Sequence, residues 1–152
     1  MRVTLVSAIV IAILFFVAAV AKWLYPTNLP FYLDQVAGTV EVCAAILLLL
    51  FHRRARAWAL LSTLFSLWLG YTLFWFIQNE NCGCFGYALD VSAGITTTIN
   101  AIAIGLSFWN WTRIEKNPRR TQLFIIIDGL ALIVGFLIAT WISWSYLSPG
   151  FH

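Results

Sequence analysis

The sequence predicts an all-α integral membrane protein, a bundle of about five transmembrane helices. Two observations carry this. The chain of 152 residues is 62% hydrophobic and only 10% charged, whereas a soluble domain carries roughly 25% charged residues; too few polar side chains are present to clothe a soluble fold. The apolar residues are also gathered into runs of about 20, the length a helix needs to cross the hydrocarbon core. Backbone groups in lipid must be satisfied within the segment or in a closed barrel, and runs this long favour helices. The length fits one domain, 1–152, and removing the spans leaves no soluble domain.

The first span runs from Val3 to Leu24 behind a basic start at Arg2. Ala19-Val20-Ala21 resembles a small-residue cleavage site, but the apolar run exceeds a signal core, so a retained helix is expected. Pro26, Asn28 and Pro30 then break the chain. The second span, Tyr32 to Phe51, is the weakest of the five because Asp34, Gln35 and Glu41 interrupt it. The short link from His52 to Arg56 makes an antiparallel hairpin of the second span and the third, Ala57 to Ile77. Gln78 to Ser92 is the longest linker. In the fourth span, Ala93 to Trp111, Thr96, Thr97, Thr98 and Asn100 read as interhelical hydrogen-bonding groups. Asn117-Pro118 marks a turn before the fifth span, Leu123 to Leu147, which Ser148-Pro149-Gly150 closes.

The formal charge of +3 does not point to nucleic acid, because the basic residues alternate from loop to loop. Arg2, then Arg53, Arg54 and Arg56, then Arg113, Lys116, Arg119 and Arg120 fall on one side. The other side holds Asp34, Glu80 and Asp90, with Lys22 as the lone basic residue near them. This is the positive-inside pattern. It predicts a chain integral to the cell inner membrane, with its amino terminus cytoplasmic and its carboxyl terminus periplasmic.

Chemistry at close spacing is confined to Asn81-Cys82-Gly83-Cys84-Phe85-Gly86, which holds two of the three cysteines. The predicted orientation puts Cys82 and Cys84 at the periplasmic face, where disulfides persist. Disulfide geometry wants alpha carbons about 4.4–6.8 Å apart; an extended three-residue stretch reaches or passes that limit, so closure needs the bend that Gly83 permits. A bond so strained and exposed belongs to the labile, catalytic kind. A passive staple, either within the pair or to Cys43, is the competing reading. Unused free thiols are another. A metal site is disfavoured, since two thiols without a nearby histidine make a poor ligand set, and His52 and His152 fall at opposite faces.

Further candidates lie within the spans. Cys43 is either ordinary packing or a membrane-embedded thiol that resolves the pair. Glu41 is either a proton carrier for thiol chemistry or a satisfied polar contact, since ionisable groups in the membrane are costly and face the interior. Its side chain should point away from that of Cys43, two residues on. Asp128 is expected to pair with Arg119, Arg120 or a polar group. Trp68, Tyr71 and Trp75 bring aromatics to the end of the third span just before the cysteines; they are belt and packing residues, or the wall of an apolar pocket for a quinone ring. No other cofactor is evident.

The run Ile13 to Lys22, an apolar helix ending in small residues and lysine, resembles the opening helix of the DoxX-like membrane proteins, and Glu41 within an apolar second span fits the same pattern. Cys82-Gly83-Cys84-Phe85-Gly86 is similar to the motif of the MauE branch, the methylamine-utilisation membrane family. The likeness covers spans one to four, with Ala18 and Ala19 standing where glycine is frequent. It implies a four-helix core plus a C-terminal helix, and an extracytoplasmic redox role alongside a thioredoxin-like partner. Cys82 and Cys84 would be the redox pair, with Lys22 and Glu41 as shared landmarks; methylamine itself is not implied. The expected function is thiol–disulfide exchange or electron relay that supports maturation of an extracytoplasmic partner, as an oxidoreductase or an accessory factor. The alternative is a structural or assembly subunit of a larger membrane complex. A proton path through Glu41 and Asp128 ranks last, because little polarity lies between them.

Overall fold

The computed structural model describes residues 2–26, 31–80 and 91–147. These form five long helices and no strand: α1 (Arg2–Leu24), α2 (Phe31–Phe51), α3 (Ala55–Ile77), α4 (Ala93–Ile114) and α5 (Pro118–Ile142). The last expected span changes character before its end, since Ser143–Leu147 winds as a π-helical turn. The fold is an all-α membrane bundle. Four helices are long and apolar enough to cross a bilayer, and α4 is not among them. The weak member is thus α4 rather than the second span: two carboxylates interrupt α2, whereas α4 carries Thr96, Thr97, Thr98, Asn100, Ser107 and Asn110. Four of these (Thr96, Asn100, Ser107 and Asn110) are buried in the bundle, so polarity inside the protein, not exposure to water, lowers its hydropathy.

Local signals set the helix ends. Ser92 caps α4 by accepting a hydrogen bond from the Ile95 N–H. Asn117 caps α5 by accepting from the Arg119 N–H, with Pro118 in the first turn. At the end of α3, Asn79 takes a positive φ of 57°. The Glu80 N–H reaches back to the Trp75 carbonyl and the Asn79 N–H to that of Phe76, the paired bonds of a Schellman stop. In the turn between α4 and α5, Glu115 accepts from Arg120 at 3.0 Å. That bond, seconded by the Asn117 N–H, holds its carboxyl below the usual carboxylate range.

Helix α3 is the centre of the bundle. It packs closely against α4 on one side and α5 on another, while α1 packs chiefly on α2. The α3–α5 contact is the tightest: a Cβ on Gly70 would meet the Leu132 carbonyl oxygen at 1.9 Å, and one on Gly135 would meet the Leu67 oxygen at 1.9 Å. Small residues are what let membrane helices approach so nearly. The α1–α2 pair meets the other three helices through larger side chains. Ala8, Ile11, Phe15, Leu48, Trp58, Leu61 and Phe65 join one apolar core, and Phe15 stacks on Phe65 with ring centroids 4.8 Å apart.

The antiparallel order gives the bundle two ends. At the upper end α1, α3 and α5 finish and α2 and α4 begin; residues 81–90 connect α3 to α4 there. At the lower end lie the links 52–54 and 115–117, where Arg53, Arg54, Arg56, Arg113, Lys116, Arg119 and Arg120 are exposed. Arg54 lies over the Phe51 ring and Arg113 over Trp109. Each arginine thereby keeps its charge at the membrane rim against an aromatic face.

Candidate functional site

Between the α1–α2 pair and the other three helices, toward the upper end, lies a cavity of about 340 Å³. Its centre of charge is an ion pair. The Lys22 ammonium donates to both carboxylate oxygens of Glu41, at 2.7 and 2.9 Å, and the two residues are only 6% and 4% exposed. Helix geometry brings them together. Side chains lean toward the N-terminus of their own helix, so Lys22, at the top of α1, leans down, while Glu41 on the descending α2 leans up. Glu41 sits ten residues into α2, about 15 Å along its axis at 1.5 Å per residue, and the long lysine stem spans the difference.

Asp34 joins this pair on the same wall. It stands seven residues before Glu41, hence on the same face of α2, and is 4% exposed. The rest of the lining is mostly apolar and aromatic, with two polar residues from α4. Phe15 and Phe65 form the floor, Trp68 and Tyr71 one wall, and Thr96 and Asn100 of α4 another. Trp68 meets Tyr71 edge-on at 6.4 Å. Asn100 donates to the Thr72 hydroxyl at 3.4 Å, tying α4 to α3 as expected of it. The threonines behave otherwise: Thr96 and Thr98 donate to carbonyls four residues back in their own helix or its cap.

The structure brings some of the expected residues together and separates others. Glu41, Trp68 and Tyr71 share the cavity. Trp75 does not line it; it is buried beside Tyr71 and Phe74, one further turn up α3. Cys43 is exposed on the bundle surface, on the opposite side of α2 from Glu41, as the two-residue offset requires. Cys82 and Cys84 lie outside the described residues. Asp128 has no arginine partner: it accepts from Ser62 at 2.5 Å and Thr63 at 2.8 Å, so the polar alternative holds. No cluster of three or more metal-ligating side chains exists among the described residues.

Lys22 is the cavity residue whose partner the sequence does not announce. The signal was present, since it is the one lysine or arginine at the upper end and Glu41 is a carboxylate deep in the next helix.

No family model, no curated protein and no solved structure matches this chain. What its fold and site define is an integral membrane helical bundle with a charged, aromatic-walled cavity near one face.

Proposed function

We propose that the protein is a membrane redox protein of the kind its resemblance to the MauE branch implies, working by thiol–disulfide exchange through Cys82 and Cys84. In this reading the upper end is periplasmic, the chain sits in the inner membrane, and its partner is a thioredoxin-like protein or a maturing extracytoplasmic substrate. The step is balanced within itself. A partner dithiol gives up two electrons and two protons and becomes a disulfide, while the Cys82–Cys84 disulfide takes them up and becomes two thiols; the reverse direction delivers electrons.

One observation supports this above the others. The buried Lys22–Glu41 pair and its cavity lie at the end of the bundle where α3 finishes and α4 begins, and the chain joining those two helices is the segment that carries both cysteines. Charged groups inside a membrane protein mark functional positions. The test is acid-quenched thiol trapping in intact cells. A mixed disulfide through Cys82 or Cys84, lost in the Cys82→Ser plus Cys84→Ser chain, is the expected outcome. Cysteines that stay oxidised and form no adduct under any redox condition overturn the reading.

A second reading, an assembly subunit without catalysis, draws on α5. That helix packs mainly on α3 and leaves Leu130, Ile133, Leu137 and Trp141 on the outer surface. A stoichiometric protein partner that survives detergent, together with permanently oxidised cysteines, is the pattern it requires.

A further inference from the structure

The cavity is defined by its walls and by its way in. Its volume lies at the lower end of sites for small organic molecules. Phe15, Phe65, Trp68 and Tyr71 give it flat aromatic surfaces, against which a planar ring packs in offset or edge-on contact. The polar groups include donors at two points. An ammonium has three N–H donors, and Lys22 directs two of them to Glu41, leaving a third. The indole Nε1–H of Trp68 is buried with no hydrogen-bond partner among the described residues, and a buried donor is costly to leave unmade. Because Glu41 neutralises Lys22 and Asp34 adds a second carboxylate to the same wall, a neutral ligand bearing acceptor oxygens suits this wall better than a free anion.

The way in is lateral. Helices α2 and α5 both border the cavity, yet they are not a closely packed pair. Val36 and Val40 of α2 and Ile138 of α5 line it and are also 60%, 40% and 39% exposed on the bundle surface. They sit within spans, so that surface faces hydrocarbon. A ligand using this gap arrives from the lipid and carries an apolar tail or body.

We propose that the cavity binds a quinone-class molecule that enters from the bilayer between α2 and α5. Its ring lies against Trp68 and Tyr71, a ring carbonyl accepts from Lys22 or Trp68, and its tail remains in the gap. Binding stands on the cavity alone; the electron transfer rests on the thiol reading above. In that transfer Cys82 and Cys84 lose two electrons and two protons and form a disulfide, and the two ring oxygens gain them as the quinone becomes a quinol. Nothing else is consumed.

Binding of a benzoquinone carrying a decyl tail to the purified full chain in detergent, followed by calorimetry, tests the site. Saturable one-to-one binding is expected. Trp68→Phe keeps an aromatic ring and removes the donor, and should weaken binding about threefold to tenfold, the range of one hydrogen bond. Ile138→Trp fills the gap and should weaken it at least as much, while Leu137→Trp, on the lipid face beside it, should bind like the wild type. Circular dichroism confirms that each variant is folded. A folded wild-type chain without saturable binding, or unchanged affinity in both Trp68→Phe and Ile138→Trp, overturns the proposal. The chain with Cys82→Ser plus Cys84→Ser should bind the quinone normally, which separates the two readings. Mixed disulfides without quinone binding sink this proposal and leave the thiol reading; quinone binding with inert cysteines does the reverse.

Discussion

The Lys22 ammonium is withdrawn from water and held there by one carboxylate. Removing either partner of a buried pair strands the other charge, at a cost of about 3–5 kcal/mol. Lys22→Met and Glu41→Gln should therefore each lower stability strongly, and the double substitution should recover much of the loss. Unfolding in mixed micelles measures this, and two single effects that simply add would refute the coupling. A carboxylate within an apolar span announces itself in sequence, so Glu41 was legible. Its pairing with Lys22 was not, because which face of α1 turns toward α2 depends on packing. Asp128 was legible in the same partial way: a polar neighbour was foreseeable, but Ser62 and Thr63 come from a helix more than sixty positions away.

At the level of helices, the sequence announces length and number through its apolar runs. It does not announce which helix is central, since lipid-facing and protein-facing sides are both apolar in a membrane bundle. Helix α3 owes its place to Gly70, and α5 its closeness to Gly135, two positions that an apolar pattern passes over. Adding a methyl group at either drives it into a backbone carbonyl of the neighbouring helix. Gly70→Ala and Gly135→Ala should each cost about 1–3 kcal/mol, as overpacking does, and should loosen α5 before the α1–α2 pair. Hydrogen exchange resolved by peptide is the measurement, and protection of α5 equal to wild type would count against it. Trp75 belongs to the same lesson. From composition it was one of a cluster of aromatics, but its helical position buries it in an apolar cluster with Phe74, Ala93, Ala139 and Ile142 and leaves the cavity to Trp68 and Tyr71.

Over the whole molecule, charge is divided between the ends. The exposed arginines and lysines among the described residues belong to the lower end, and the one lysine near the upper end is buried and neutralised. If this asymmetry sets orientation, a cysteine placed by Arg54→Cys in a chain whose native cysteines are serine should resist a membrane-impermeant maleimide in intact cells. A second chain that keeps Cys82 as its one cysteine should react in the same test. Equal labelling at both positions would contradict the predicted topology. This large-scale pattern was the most legible of all, because it needs only the order of charges along the chain.

The stacked rings of Phe15 and Phe65 close the cavity from below, and beneath them lie Ile11, Leu48 and Leu61. The Asp128 cluster is on the far side of this layer. The hydrogen bonds of Asp128 run to Ser62 and Thr63 and those of Lys22 to Glu41, so the two sites share no direct bond, and a proton crossing hydrocarbon unaided meets a steep desolvation barrier. The ring pair thus places apolar side chains between the two sites. A membrane can lose its electrochemical gradient through a protein with titratable groups toward both faces, and an apolar layer between two such sites opposes that leak.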